Sequence, residues 1–246
     1  MSPSAMLAST TMDSDADTAD MVEALRGTAL LRDLSLDVMT RLAAISKIVD
    51  APADTVICRQ SDAADELIIV LDGQLAGFST AANGTTAVVE VIRGGQTLGL
   101  ATVLARLPRL LGVRTVTPSR YLSIAADGLL TLVEHEPSLV TALLRAEANE
   151  FHALVRQVCD LKLRTTAQRL GCYLLALSPE QKANTTAMRL PFDKRLLAAR
   201  LGCRQENLSR AFAALRDFGV ETHGARVILH DIAKLKAYAE PDEALT

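Results

Sequence analysis

Gln205, Glu206, Ser209 and Arg210 recur at helical spacing, so a helix running through them would project all four from its N-terminal part. Their chemistry suits base edges. An arginine can bond both acceptors of a guanine at once, a glutamate can accept from the cytosine amino group, and a serine is small enough to approach a thymine. Lys194 and Arg204 stand near the N-terminal ends of two apolar-striped segments, where cationic charge adds to exposed helix N–H groups and suits a phosphate. Nothing in the chain suggests bond-making chemistry. There is no nucleophile with a base in context and no pair of carboxylates, and Gly94-Gly95-Gln96-Thr97-Leu98-Gly99 lacks the lysine and GKS/T ending of a phosphate loop. The chain reads as a non-enzyme that binds double-stranded DNA.

The elements that must position these residues lie between Leu190 and Val220. Leu196, Leu197, Ala199 and Leu201 give a short helix one buried stripe, with Asp193 as its N-cap. Gly202 supplies a tight turn, and the second helix starts near Arg204. Within it Leu208, Phe212, Ala213, Leu215 and Phe218 fall on one side, and Gly219 closes it. Val220 to Leu229 then reads as two short strands around a glycine turn, a wing that offers Thr222, His223 and Arg226 to phosphates, with His230 beside it. The plainer alternative is an αα-corner with a solvated charged face.

With these residues in view, the chain resembles the CRP/FNR superfamily of bacterial transcription regulators. Gly202-Cys203-Arg204-Gln205-Glu206-Asn207-Leu208-Ser209-Arg210 is similar to the family's recognition-helix signature, in its FNR-like form. Arg164-Thr165-Thr166-Ala167-Gln168-Arg169-Leu170 is similar to the segment that opens the DNA-binding domain. Glu66 to Gly73 and Gly94 to Gly99 match the sensor half more weakly. The resemblance implies an α+β chain with a double-stranded β-roll of the cyclic-nucleotide-binding type, a dimerisation helix and a winged helix-turn-helix. It also implies a homodimer, RNA polymerase as a partner, and a palindromic site with half-sites resembling TTGA.

In chain order, residues 1–20 have the composition of a disordered tail. Residues 21–134 form the sensor, with short helices from Met21 to about Val49. Strand-like runs follow at Thr55–Cys58, Leu67–Leu71, Ala87–Ile92, Val113–Val116 and Arg120–Ile124, punctuated by Asp72-Gly73, Asn83-Gly84 and Gly94-Gly95. Residues 135–162 predict a long helix opened by Pro137. Val140, Leu144, Glu147, Phe151, Leu154, Val158 and Leu161 recur in steps of four and three, the seam of a coiled coil, with Glu147 its one polar member. Residues 163–246 make the DNA-binding part.

The family's cAMP binders use a glutamate for the ribose and an Arg-Ser pair for the cyclic phosphate. By that resemblance the three positions here are Leu100, Arg109 and Leu110, so cAMP is not expected to bind. Arg109 and Arg114 are read as solvated surface ahead of anion contacts. Some relatives sense gases through haem, so the resemblance implies a gas or redox trigger with His152 or His135 as iron ligand, the alternatives being a cyclic nucleotide or other small anion, or control by protein abundance without ligand; the plainer reading of both histidines is exposed or hydrogen-bonded. The N-terminal segment has no cysteine, which excludes the iron–sulfur centre of the oxygen sensors. Cys203 could be a redox thiol at a helix N-terminus or a small buried turn residue.

Composition agrees with these readings without selecting them. At 246 residues and 49% hydrophobic the chain can bury sizeable cores, and its net charge of −3 means that DNA affinity must come from a local basic patch, which residues 190–216 supply. Cys58, Cys159, Cys172 and Cys203 show no metal or disulfide spacing. With no membrane-length apolar run and no leader pattern, the expected location is the cytoplasm.

Overall fold

The computed structural model describes residues 14–84, 86–178, 184–190 and 194–240. It is a mixed α+β chain. Helices α1 (Ser14–Arg26) and α2 (Leu36–Ala44) lead into an antiparallel roll. Residues 14–20, read from composition as tail, belong to α1, whose Met21 and Leu25 are buried and tie it to α2. Residues 1–13 lie outside the described residues. The helical lead-in also ends earlier than expected. Ile45 caps α2, and Ser46–Ala51 forms strand β1, because its whole length finds a partner strand in Ser119–Ala125.

The remaining strands of the roll are β2 (Val56–Cys58), β3 (Glu66–Asp72), β4 (Gln74–Thr80), β5 (Thr86–Arg93), β6 (Thr97–Leu98), β7 (Gly112–Thr115) and β8 (Ser119–Ala125). They make two four-stranded sheets, ordered β1-β8-β3-β6 and β2-β7-β4-β5. Asn83-Gly84 turns β4 into β5 as expected, with Gly84 N–H donating to Ala81 O at 2.8 Å. β3 is buried on both faces, which is why it reads as a continuous apolar run. Its Ile68 and Val70 pack between the sheets with Leu75, Ile92 and Val113, while Leu67 and Ile69 pack toward the helices. Helices α3 (Leu100–Leu104) and α4 (Ala126–Val133) close that second layer.

Helix α5 (Pro137–Leu163) has 27 residues, about 40 Å of rise. Its first turns are anchored in the roll by the buried Leu139 and Leu143, with Ala142 and Ala146 packed against the same core. Arg164 is extended and ends it. Helix α6 (Thr166–Leu177) opens with a reciprocal capping box in which Gln168 N–H donates to Thr165 Oγ1 at 3.2 Å and Thr165 N–H donates to Gln168 Oε1 at 3.0 Å. Strand β9 (Thr186–Arg189), helices α7 (Lys194–Arg200) and α8 (Gln205–Leu215), strands β10 (Val220–His223) and β11 (Arg226–Leu229), and helix α9 (Ile232–Ala239) follow. They share a core of Leu170, Leu174, Leu197, Leu208, Phe212, Leu215, Val227, Leu229 and Leu235.

One apolar residue of α7 serves a different contact. Leu196 is buried by Ala76 of β4 and Val91 of β5, with Val88, Val116 and Tyr173 around it, so the helix-turn-helix is docked on the hairpin of the roll. At the edge of this contact the Arg200 guanidinium lies 5.6 Å from the Tyr173 ring centroid.

Candidate nucleic-acid interface

The two helices of the motif meet at Gly202, whose φ of +60° is the left-handed turn that glycine adopts without penalty. A side chain there would also strike α5, because a Cβ on Gly202 would lie 2.6 Å from Leu161 Cδ2. Leu161, expected in the dimer seam, therefore also packs against the turn and links the long helix to the motif. Arg169 fixes the same junction. Its guanidinium donates to Leu201 O at 3.0 Å and to Arg164 O at 2.7 Å, satisfying carbonyls at the ends of α7 and α5. The sequence pattern carries Arg169, but its partners are set only by the fold.

Helix α8 starts at Gln205 with Arg204 as its N-cap residue, and it buries Leu208, Ala211, Phe212 and Leu215. Each of the large side chains in that stripe contributes about 1.5–3 kcal/mol by leaving water. Ala213, expected on the buried side, is exposed, because a stripe through positions 208, 212 and 215 takes in position 211 instead. Gln205, Glu206, Ser209 and Arg210 are all exposed on the opposite, N-terminal part, as are Lys194 and Arg204. A 3-10 turn, Arg216–Phe218, extends α8 before Gly219, and Phe218 stacks on Tyr238 with centroids 3.8 Å apart. Asp193, the expected cap of α7, lies outside the described residues.

The wing is a three-stranded sheet ordered β10-β11-β9. Gly224 and Ala225 form a two-residue loop, and φ of +63° at Gly224 fits the first position of a type II′ turn. Glu221, His223 and Arg226 share the outer face. Thr222 pairs with Val227 and stands half-buried on the other side, since strand residues alternate faces. β9 had no signal in the sequence, yet it brings Arg189 directly opposite Arg226 on the outer face. Glu221 accepts from His223 Nε2 at 2.8 Å and from His230 Nε2 at 2.7 Å. His230, then His223, hold its carboxyl below the usual carboxylate range.

Charge is segregated to match. Residues 164–240 carry thirteen Lys and Arg against seven Asp and Glu, although the whole chain is net negative. Along α5, Leu144, Phe151, Leu154, Val155, Val158, Leu161 and Leu163 stand between 42% and 81% exposed, and Val140 is half-buried. Glu147 sits in the same row, half-buried, its carboxyl pushed up by burial and then by Glu150.

The sensor residues are placed differently from expectation. Arg109 is buried, at 6% exposure, with its guanidinium against Gly99 and donating to Glu66 O at 2.8 Å. It is an internal strut between the Gly99 turn and β3 and not solvated surface. Its hydrophobic stem packs inside the roll while a backbone carbonyl, which needs a donor once buried, takes its charge-assisted bond. Replacing Arg109 with alanine is expected to cost about 1.5–3 kcal/mol of stability, read as a shifted urea midpoint. Arg114 is exposed, 3.2 Å from Asp54 and over the Phe78 ring at 5.2 Å. Leu100 is buried, and Leu110 is 77% exposed.

His135 is exposed, with Nδ1 3.0 Å from Thr131 O, and His152 is exposed on α5. Neither ring is buried against apolar walls, so these residues do not fit a haem enclosure here. Burial pushes the Cys203 thiol up, with Arg169 opposing, which favours a turn residue over a reactive thiolate. Among the described residues no helix is long and apolar enough to cross a membrane, and no metal-binding cluster of His, Cys, Asp and Glu is present.

Comparison with known proteins agrees with this architecture. Residues 48–136 match the cyclic nucleotide-binding domain family, and residues 168–238 match the Crp-like helix-turn-helix domain family. The solved structure of a candidate cyclic nucleotide binding protein from Ruegeria pomeroyi is 30% identical, covering 91% of this chain and 99% of that one, with a TM-score of 0.62. A CRP/FNR-family transcriptional regulator from Thermus thermophilus shares the fold at 19% identity and a TM-score of 0.61, covering 79% of this chain and 98% of its own. The protein named probable transcriptional regulator flp in Lacticaseibacillus casei is 26% identical over 179 residues, 72% of this chain and 81% of that protein. A roll, a long helix with an exposed apolar row and a winged motif with an exposed polar recognition helix, matched by both family models, place this chain in the CRP/FNR family of transcription regulators.

Proposed function

We propose that the chain acts as a homodimer that reads an inverted repeat with TTGA-like half-sites. Glu206, Ser209 and Arg210 contact bases, Gln205 reads the flanking position, and Lys194, Arg204, His223 and Arg226 hold phosphates. The observation that carries this reading is the division of α8, whose four polar side chains are exposed while its apolar stripe is buried. Two such helices related by a dyad can enter successive major grooves about one turn apart, and the apolar row of α5 supplies a surface for the dyad. RNA polymerase is the expected partner at a promoter. Selection of bound duplexes from a random pool tests the site: an enriched inverted TTGA repeat is expected, and enrichment of unrelated or non-palindromic sequences would reject it.

For the signal, occupancy governed by protein abundance fits the roll better than a haem-bound gas or cAMP. Arg109 is already engaged by Glu66 O, and the ribose and serine positions are leucines, so cAMP would leave its polar groups unpaired. His135 and His152 are exposed. Calorimetry with cAMP is expected to show no binding at micromolar concentration, and haem reconstitution no stoichiometric Soret band. Either signal would overturn this part and leave the DNA reading standing.

A further inference from the structure

The outer face of the wing holds a row of basic side chains that its fold does not require. His223 is directly opposite Arg226, and Arg226 is directly opposite Arg189, so three basic side chains stand abreast across β10, β11 and β9 next to the two-residue loop. All three residues are exposed, and no carboxylate among the described residues pairs with either arginine. Like charges directly opposite one another repel across a sheet. The row is explained by an anion held against it.

One residue back on the same face, Glu221 has each carboxylate oxygen bonded to a different imidazole, His223 at 2.8 Å and His230 at 2.7 Å. A carboxylate only accepts, so each Nε2 carries the hydrogen. With both rings neutral the trio bears one negative charge beside the row, and with both protonated it bears one positive charge. The other charged groups around it do not cancel this change. Arg216, from the 3-10 turn, lines a hollow with Glu221, His223 and His230, Arg226 and Arg189 stand on the same outer face from β11 and β9, and Asp231 is taken by the Lys234 amide and Asn184.

We propose that Arg189, Arg226 and His223 form a single grip on the DNA sugar-phosphate backbone, and that Glu221, shared between His223 and His230, links this grip to proton uptake. The proposal rests on the DNA reading above and adds to it a third strand, a further contact residue and a pH dependence. Protonation of the two imidazoles replaces the local negative charge with a positive one, so binding takes up protons. Affinity therefore rises as pH falls. Because phosphates carry no sequence, the change applies to specific and random duplexes alike.

The experiment is fluorescence anisotropy of the full chain with a labelled inverted-TTGA duplex and a random duplex, at pH 6, 7 and 8 and at several salt concentrations, with melting curves to verify folding. Wild type is expected to gain roughly tenfold in affinity for both duplexes between pH 8 and pH 6, and the His223→Gln/His230→Gln double variant to be flat. Glu221→Gln should bind more tightly than wild type at pH 8. Arg189→Ala should lose several-fold on both duplexes and lower the salt slope by about one per wing. Binding with no pH dependence, pH dependence that survives in the double histidine variant, or an unchanged salt slope in Arg189→Ala overturns the inference and leaves the DNA reading intact. No binding to either duplex at any pH removes both.

Discussion

Replacing Phe151 or Leu154 with glutamate is expected to yield a folded monomer that loses roughly a hundredfold or more in affinity for a palindromic duplex. Both side chains are more than half exposed in the isolated chain, in a row that runs from Leu144 to Leu163, and a water-facing stripe of this size marks an association surface. Neither residue supports the roll, since the turns that do so present Leu139 and Leu143 on another face. In a parallel pair of helices each substitution would bring two carboxylates into a desolvated seam without partners. Glu147, in the same row, is half-buried within its own chain, and its carboxyl is pushed up by burial and then by Glu150. A further glutamate one turn away adds repulsion to that pair. The sign with pH follows, because a carboxyl that must be neutral to be buried penalises the dimer most above its raised pKa, so acidification should partly restore assembly. Size-exclusion chromatography with light scattering reads the mass. If both variants remain dimeric, the seam lies on another face.

Local signals and long-range partners explain what could and could not be read from the chain. The helix-turn-helix is legible because its determinants are near neighbours: the apolar stripe through Leu208, Phe212 and Leu215, the glycine at position 202 and the polar set at positions 205–210 lie within a few turns of each other. The Asn83-Gly84 hairpin is legible for the same reason. Strand β4 was missed because Ala76, Gly77 and Ser79 give little β-pattern, and it is held by pairing with β5 and β7. β9 was missed because its four residues carry no alternation of their own and take their register from β11.

The site residues divide along the same line. Exposure of Glu206 and Arg210 follows from helical periodicity alone. Arg109 could not be assigned that way, since its partner is the carbonyl of Glu66, 43 residues away in sequence. Leu196 read as ordinary helix core, but the apolar surface that covers it belongs to the roll.

Replacing Arg210 with alanine is expected to cost about 1–3 kcal/mol on a TTGA palindrome and to relax preference at the guanine, because the proposed bidentate pair to its two acceptors would be lost. The substitution removes an exposed side chain on the face of α8 away from Leu208 and Phe212, so the core and the melting temperature should be unaffected. Lys194→Ala makes the contrast. Lys194 is exposed at the start of α7, and on the proposed reading its ammonium holds a phosphate, so its loss should weaken specific and random duplexes by the same factor and lower the salt slope. The two variants therefore separate base reading from backbone holding within one motif, and both are read from anisotropy on matched duplexes that differ only at the guanine. For Arg210→Ala the ratio between the two duplexes should collapse toward one, and for Lys194→Ala it should stay at the wild-type value. Equal losses on all duplexes for Arg210→Ala would assign that side chain to the backbone and move the guanine contact to another residue of α8.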